Sequence, residues 1–179
     1  MNWDAFGAIA NLLAAVGVIA TLIYLSIQIR QNSRQLRGAA TIAVHDYQRS
    51  LTDTLTADQE LFKIALRGNE DFDSLEPWEQ QRFTIWAIKE TGCWEMCHSL
   101  LKQGALDEGL YRGKEKYWLL LHSSPGRRAW WYRHSVMLSK EFVDEISKLL
   151  EQVPIKKLGE SHPIFDSSAH TRPETTGDV

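Results

Sequence analysis

The chain has 179 residues, with 20 Lys and Arg against 23 Asp and Glu and a formal net charge of −3. All of the basic residues and 22 of the 23 acidic ones lie after residue 29, so the later part of the chain is mildly acidic. This balance argues against nucleic acid as a partner. The length beyond residue 29 leaves room for one compact domain.

The first predicted element is an apolar helix from Ala5 to Ile29, a stretch that contains no charged residue. At 1.5 Å per residue it reaches roughly 35 Å, enough to cross a hydrocarbon core of about 30 Å. Trp3 and Tyr24 lie near its ends, where aromatic rings favour the headgroup region. The sequence therefore predicts a transmembrane helix, with a buried helix of a soluble domain as the alternative.

The charges beside this span predict its orientation. No Lys or Arg precedes it, whereas Arg30, Arg34 and Arg37 follow it directly. By the positive-inside rule, the N-terminus is expected outside and the following domain in the cytoplasm. Since a basic region before the apolar run is missing, we expect an uncleaved anchor and not a cleaved signal peptide. The lipid bilayer is accordingly a predicted partner.

Small residues recur along the span at alternating steps of three and four, which places them on one face of the helix. They are Gly7, Ala10, Ala14, Gly17 and Thr21. We call this row of small side chains the seam. It allows a second helix to approach closely in lipid. The same register continues into Gln28, Gln31 and Gln35 as the helix leaves the membrane. The seam predicts a helix–helix interface, although Ala and Gly are also common in membrane helices without one.

The helical pattern continues beyond Arg30 because no Pro intervenes and apolar residues keep the same spacing as far as Leu55. Gly38 is a possible point of bending. Thr56 is expected to cap a second helix that ends before Gly68. The acidic residues 69–74 are expected to form a solvated loop.

A long helix is predicted from Pro77 to about Lys102, ended by Gly104. Its inward residues are expected to be Trp78, Phe83, Trp86, Trp94 and Leu101. The next helix is predicted over residues 107–121, with Leu110, Tyr117, Leu120 and Leu121 inward. Another is predicted to begin at Ser124-Pro125. The last is predicted over the amphipathic segment that contains Phe142 and Leu150.

No β-alternation occurs, so the chain is predicted to be all-α: a transmembrane helix extended into the cytoplasm and followed by a small helical bundle. From Pro154 onward the composition changes to Pro, Gly, Ser, Thr and charged residues without a period. The predicted organisation is an anchor at 1–29, a cytoplasmic helical domain at 30–152 and a flexible tail at 153–179.

Motifs of catalysis and metal binding are weak. Glu95 and His98 have the Glu-x-x-His spacing of di-iron bundles, but a second copy is missing. Cys93 and Cys97 are one helical turn apart, which makes a mutual disulfide awkward, and we expect free, packed thiols. No nucleophile motif or nucleotide-binding loop is present. We therefore expect no enzyme activity, no metal and no cofactor.

The most unusual soluble stretch joins arginines to aromatic residues: Arg127, Arg128, Trp130 and Trp131. Aromatic and Arg anchors of this kind occur at protein interfaces, so these four residues are a candidate interface. The alternative is that the tryptophans divide between the core and a half-buried groove while the arginine heads stay in water. Contact with the membrane surface and base stacking are less favoured.

Four segments carry a resemblance: the span running into IRQNSRQLR, then LEPWEQQRF, LLKQGALDEGLY and SPGRRAWW. Together they resemble a widespread group of uncharacterised bacterial proteins with one N-terminal transmembrane helix and a small helical cytoplasmic domain. The resemblance covers most of residues 1–151 and implies a bacterial inner membrane. In that group the last motif tends to carry a second Gly where this chain has Arg127. No activity is implied.

Three functions remain open. The first is a non-enzymatic, single-pass accessory or scaffolding subunit of a larger membrane assembly, with other membrane subunits or a second copy as partner. The second is a homo-oligomeric channel formed by the N-terminal helices, with Gln28, Gln31 and Gln35 at its inner mouth. The third is a cytoplasmic enzyme or sensor that uses the segment from Cys93 to His98.

Overall fold

The computed structural model describes residues 3–161, with side chains described from 13 to 159, and this part of the chain contains helices and no strands. The predicted all-α class is confirmed. The α-helices are α1 (Trp3–Ala57), α2 (Gln59–Glu70), α3 (Pro77–Lys102), α4 (Glu108–His122), α5 (Pro125–His134), α6 (Lys140–Glu151) and α7 (Leu158–Ser161). Two 3₁₀ turns, Phe72–Ser74 and Ser135–Met137, lie between them.

Helix α1 is continuous over 55 residues, so it is about 80 Å long at 1.5 Å per residue. It continues through Arg30 and Gly38, as the uninterrupted apolar spacing predicts. Its first half is long and apolar enough to cross a membrane. The side chains described in that half, from Leu13 to Ile29, are almost all exposed, because the bundle packs only against the second half of the helix.

The second half of α1 meets the bundle along a narrow strip. Val44 is fully buried, and Gln48, Leu51 and Leu55 are half-buried beside α2 and α3. These residues recur at steps of three and four, which keeps them on one face of the helix. The remaining faces of α1 are therefore left uncovered by the bundle.

Aromatic rings from α3, α4, α5 and α6 form the centre of the core. The rings of Trp94 and Trp118 stack with centroids 5.6 Å apart, and Phe142 meets Trp94 edge-on at 5.6 Å. Trp130 and Trp131 are also fully buried. Such ring pairs add to the burial of apolar area, so the aromatic residues hold four helices together.

The predicted inward faces are correct for part of the core only. In α3, Phe83, Trp86 and Trp94 are buried, but Trp78 is 48 % exposed. In α4 the buried residues are Tyr111, Trp118, Leu121 and His122, whereas Tyr117 is 44 % exposed. The prediction is correct for Leu121, and Leu110 is half-buried against the core, but it was wrong for Tyr117, since Trp118 reaches the ring stack instead.

The start and end of α2 also differ from the prediction. Asp58, not Thr56, caps the helix: its Oδ1 accepts a hydrogen bond from the Leu61 N–H at 2.9 Å. Gly68 lies inside the helix and does not end it. A Cβ at this position would lie 2.4 Å from the Phe83 ring, so the glycine permits close packing against α3.

The acidic segment after α2 is not a free loop. Phe72 is 2 % exposed, and its ring lies 5.5 Å from that of Phe83. Asp71 caps the 3₁₀ turn by accepting from the Asp73 and Ser74 N–H groups. The polar residues face solvent while one aromatic side chain anchors the segment to the core.

The later helix ends are close to their predicted positions. Helix α3 runs from Pro77 to Lys102, and Gly104 follows it at φ +67°. Asp107 caps α4, with Oδ1 accepting from the Leu110 N–H at 2.9 Å. Ser124 and Pro125 begin α5 as predicted.

The predicted flexible tail is wrong for its first residues. The Lys156 N–H donates to the Ser123 carbonyl at 2.9 Å, and the Leu158 N–H donates to Glu70 Oε1 at 3.0 Å. Leu158 is 3 % exposed. The chain after Pro154 therefore packs on α2 and α4, and residues 162–179 lie outside the described part.

Helix α5 begins against the end of α2 at Gly126. A Cβ on this residue would lie 2.1 Å from the Gly68 carbonyl oxygen and 2.7 Å from the Phe72 N atom. Backbone atoms cannot rotate away as side chains can. Only glycine allows the two backbones to approach so closely.

We expect Gly126→Ala to lower the free energy of unfolding by about 1–3 kcal/mol, since overpacking here displaces backbone. Gly113→Ala is the control, because nothing lies within 4 Å of a Cβ at this helical position. Alanine at residue 113 should stabilise α4 by up to about 1 kcal/mol. Urea unfolding of the full chain in a mild detergent, followed by tryptophan fluorescence, checks both. Equal stability of the two variants would contradict the close approach.

Candidate functional site

The close approach at Gly126 directs the next residue, Arg127, into the core. Arg127 is fully buried, and its Nη2 donates to the Glu90 carboxylate of α3. The same nitrogen is 3.3 Å from the Ala87 carbonyl oxygen and 3.2 Å from Thr91 Oγ1. An ion pair thus connects α5 to the middle of α3 inside the bundle.

Aromatic rings surround the Arg127 guanidinium. Its Cζ lies 5.0 Å from the ring centroids of both Trp86 and Trp130, and 5.8 Å from that of Phe83. The negative faces of aromatic rings attract a cation, most strongly where water is excluded. The rings therefore replace part of the hydration that the guanidinium loses on burial.

Burial acts on both members of the pair. It raises the pKa of Glu90, against the charge of Arg127 and a hydrogen bond from Trp118, and it lowers the pKa of Arg127, against the charge of Glu90. Several polar atoms stay without a hydrogen-bond partner among the described residues: Glu90 Oε1, Arg127 Nε, Arg127 Nη1 and Trp130 Nε1. Such groups are costly in a dry core, so burial of this pair is only partly compensated by hydrogen bonds.

A cavity of about 300 Å³, partly open to solvent, lies beside Glu90. Helices α1, α3 and α4 form its walls. The lining residues are Gln48, Leu51, Thr52, Glu90, Cys93, Tyr117 and Trp118. Its lining combines a carboxylate and a thiol with aromatic and aliphatic side chains.

Two neighbours in this cavity also have displaced pKa values. A hydrogen bond with Cys97, together with burial, raises the pKa of the Cys93 thiol. Burial, and next the charge of Glu90, raises the pKa of Tyr117. Both groups are therefore neutral at pH 7, and neither is activated as a nucleophile.

Arg128 has a different role from its neighbour. Its Nε donates to the His122 carbonyl at 2.8 Å, and its two terminal nitrogens donate to the carbonyls of Leu150 and Val153 at 2.9 and 3.2 Å. Carbonyls at helix ends lack partners within their own helix. Arg128 thus joins the ends of α4 and α6.

His122 is the most deeply buried histidine of the described chain. Its Nδ1 is 2.9 Å from the Trp118 carbonyl oxygen, so Nδ1 carries the proton and donates. The rings of Trp94 and Trp131 lie 5.4 and 5.5 Å from the imidazole. Burial, and next the charge of Arg127, lowers the pKa of His122 well below its usual range. The imidazole is neutral in the folded protein.

The candidate interface of Arg127, Arg128, Trp130 and Trp131 is corrected by the structure. All four side chains are buried, with exposed fractions between 0 and 4 %, so they form core and not surface. The alternative with arginine heads in water is wrong as well. Both arginines enter the bundle because Glu90 and three carbonyls supply acceptors there.

One sequence signal could have indicated this arrangement. Glu90 lies on the same face of α3 as Trp86, Trp94 and Cys97, at helical spacings of four, four and three residues. An acidic residue on an apolar face needs a buried partner of opposite charge. The sequence does not indicate which basic residue is that partner, because the contact is made between residues far apart in the chain.

The predicted seam lies on the exposed half of α1. Ala14, Gly17 and Thr21 are exposed, and Thr21 Oγ1 donates to the Gly17 carbonyl at 2.8 Å within the same helix. Gly7 and Ala10 lie outside the residues whose side chains are described. The helix–helix interface stays a prediction.

The residues of the weak metal motif have structural contacts. Glu95 Oε1 accepts from the Ser139 N–H at 2.7 Å, at the start of α6, and His98 Nε2 lies 3.2 Å from Glu145 Oε2. Cys93 and Cys97 are buried free thiols, as expected. Over the described range, no group of three or more His, Cys, Asp or Glu side chains is arranged to hold a metal ion.

We expect Arg127→Met to lower the free energy of unfolding by about 3–5 kcal/mol, because it leaves the buried Glu90 charge uncompensated. Arg133→Met is the matched control, since Arg133 pairs with Asp73 at the surface and should contribute little. The double change Glu90→Leu with Arg127→Met should cost less than Arg127→Met alone. Urea unfolding measures all of these. If the two single variants are equally stable, the ion pair is not the constraint described.

His122 should make stability depend on pH. Its folded pKa is depressed, so below the ordinary value of 6.5 the unfolded state binds a proton that the folded state does not, and stability falls as pH falls. The slope is at most about 1.4 kcal/mol per pH unit for one proton. Glu90 acts in the opposite direction above its ordinary value of 4.5, because its folded pKa is raised.

The His122→Asn variant separates the two effects, since an amide can still donate to the Trp118 carbonyl but does not titrate. Unfolding free energies between pH 5.5 and 7.5 should fall less steeply towards acid in this variant than in the unsubstituted protein. Parallel pH profiles would show that His122 is not responsible.

The chain matches no protein-family model, no curated protein and no solved structure. The resemblance of its motifs to single-pass bacterial membrane proteins therefore stays a prediction. Two features remain as evidence of function: the exposed apolar side chains of α1 from Leu13 to Ile29, and the buried pair of Glu90 and Arg127.

Proposed function

We propose that this chain is a non-enzymatic, single-pass protein of a bacterial inner membrane, serving as an accessory or scaffolding subunit of a larger membrane assembly. Its N-terminus lies outside and its helical bundle in the cytoplasm. One observation carries the proposal: the apolar side chains from Leu13 to Ile29 are exposed, yet they belong to the same helix that packs into the bundle.

The apolar surface of α1 is not covered by the described part of the bundle. The side chains at least 47 % exposed include Leu13, Val16, Val18, Ile19, Leu22, Ile23, Leu25, Ile27 and Ile29. Exposed apolar area of this extent is unfavourable in water and favourable in lipid. Arg30, Arg34 and Arg37 then follow at the level expected for the cytoplasmic headgroups, which supports the orientation.

The seam and the bundle use different faces of α1. Val44, Gln48 and Leu51 contact the bundle, whereas the seam, extended in register, passes through Gly38 and Ile42. Ile42 is 63 % exposed, and nothing lies within 4 Å of a Cβ at Gly38. The seam positions are about 100° around the helix from the bundle strip.

A supporting role without catalysis also fits how the polar groups are used. Glu95 caps α6, Arg128 joins helix ends, and Glu90 with Arg127 connects α3 to α5. These contacts hold the bundle together. The alternative is a pore formed by a ring of α1 helices. Such a pore would be a homo-oligomer, so the subunit composition of the complex distinguishes it from an accessory subunit.

We expect Gly17→Leu to dissociate the complex that the full chain forms in native nanodiscs, because a bulky side chain keeps the partner helix away from the seam. Val18→Leu is the control: it lies one residue away, off the seam, and is 60 % exposed. Native mass measurement and subunit composition report the result.

Co-purified subunits that are lost with Gly17→Leu and kept with Val18→Leu support an accessory subunit. A homo-oligomer with the same dependence supports self-scaffolding and directs attention to ion flux in liposomes. A monomer without partners in the unsubstituted protein, or equal behaviour of the two variants, overturns the proposal.

A further inference from the structure

We propose that a cleft at the end of the bundle nearest the apolar span binds the head group of a zwitterionic aminophospholipid, phosphatidylethanolamine, from the adjacent leaflet. The phosphate contacts Arg37, and the ammonium group contacts the carboxylates of Asp107 and Glu108. The inference rests on the proposed membrane anchor and adds a lipid partner to it. It does not involve the seam on α1.

This membrane-proximal cleft lies between α1 and the turn that joins α3 to α4. Its volume is about 440 Å³, within the range of small-molecule sites, and it is open to solvent. Its lining includes Arg37, Thr41, Leu101, Gly104, Asp107 and Glu108. The three charged side chains among them are exposed, so a ligand in the cleft can reach each one.

The hydrogen bonds of α1 show that the cleft faces the span. The Tyr47 hydroxyl donates to the Lys89 carbonyl at 3.2 Å. One end of the bundle closer to the span, Arg37 Nε donates to the Gly104 carbonyl at 3.0 Å. Helix α3 thus runs back along α1, and the turn that follows it is the part of the bundle nearest the apolar residues.

The height of Arg37 suits a lipid head group. Arg37 lies eight residues after Ile29, which is about 12 Å along the helix. The polar layer of a leaflet extends roughly 5–8 Å beyond the hydrocarbon. Side chains on a helix lean towards its N-terminus, which is here the membrane side, and a long arginine side chain covers the remaining few ångströms.

Arg37 supplies the contact for the phosphate. The Gly104 carbonyl occupies Nε and holds the guanidinium in the cleft, whereas Nη1 and Nη2 have no hydrogen-bond partner among the described residues. Two free N–H nitrogens on a planar guanidinium match two oxygens of a phosphate. The hydrogen bond to the turn therefore orients Arg37 and leaves its phosphate-binding atoms available.

The two carboxylates supply the contact for the ammonium group. Asp107 Oδ1 accepts from the Leu110 N–H at 2.9 Å, and Oδ2 has no partner in the described part of the chain. Glu108 lies 3.5 Å from Arg112, but its side chain is 73 % exposed, so this surface pair is weak. A primary ammonium has three N–H donors and can serve both carboxylates at once.

The charges of the cleft select one class of lipid. Its lining carries one cation and two carboxylates, so a head group with net negative charge would be repelled. A choline head group has the same phosphate, but its quaternary nitrogen has no N–H to donate. Ethanolamine alone among these three kinds of head group provides both a phosphate for Arg37 and N–H donors for the carboxylates.

The test uses the full chain in nanodiscs made of equal parts of phosphatidylethanolamine, phosphatidylcholine and phosphatidylglycerol with the same acyl chains. Retention of the chain in the nanodisc is measured first. Native mass spectrometry after transfer to a mild detergent then counts the lipids that stay bound. We expect phosphatidylethanolamine to be retained at least about tenfold over phosphatidylcholine, the effect of a hydrogen bond to a charged acceptor.

Two variants separate the two ends of the head group. Asp107→Asn removes a charge but keeps an oxygen that caps α4, because Asn and Asp cap helices equally well. It should lower the preference for phosphatidylethanolamine over phosphatidylcholine at least severalfold. Arg37→Gln should instead lower the total amount of retained lipid. The matched controls are Asp144→Asn and Arg34→Gln, which change exposed residues outside the cleft.

A preference for phosphatidylethanolamine that falls with Asp107→Asn, and bound lipid that falls with Arg37→Gln, support the cleft if both controls behave like the unsubstituted protein. Equal retention of the three lipids, stronger retention of phosphatidylglycerol, or equal effects in variant and control overturn the cleft and leave the anchor standing. A chain that does not stay in the nanodisc overturns the anchor, and the cleft with it.

A soluble form of the head group distinguishes a lipid from a free solute. Phosphoethanolamine added in solution lacks acyl chains, so we expect it to leave the bound lipid in place. Complete displacement of the lipid would assign the cleft to a soluble ligand and would overturn a lipid site.

Discussion

The ion pair of Arg127 and Glu90 is the constraint on which the bundle depends. A guanidinium and a carboxylate that are both removed from water stabilise each other only if they stay together, so α5 has one position relative to α3. Gly126 permits the close approach to α2 that this position requires, and the rings of Trp86 and Trp130 enclose the cation. Removing either charge leaves its partner buried and unpaired between α3 and α5, whereas Arg133 and Asp73 pair at the surface, where water replaces the lost partner.

Helix α1 connects the two regions in which function is proposed. Its first half exposes apolar side chains over a length that suits a bilayer, and its second half supplies Val44 to the core and Arg37 to the membrane-proximal cleft. The helix is continuous between them. Contacts made within the membrane and contacts made in the bundle therefore act on the same element.

Much of the secondary structure was predictable because its signals are local. The span, the ends of α3 and the start of α5 follow from uncharged length, Pro, Gly and capping residues that act within a few positions. The errors have long-range causes. Gly68 carries a stop signal but lies inside its helix, where it packs against Phe83. Leu158 is held by Glu70 of α2 and by contacts with α4, and not by any periodicity of its own tail.

By itself, the sequence determined that the chain is helical and that its first helix is apolar enough to cross a membrane, because helix formation and hydropathy are properties of neighbouring residues. Only the tertiary structure decided that Arg127 is buried and that Tyr117 borders a cavity while Trp118 joins the core. The carboxylate that makes burial of Arg127 possible lies 37 residues earlier in the chain. Burial of a charge depends on what folding brings beside it, and no local pattern contains that partner.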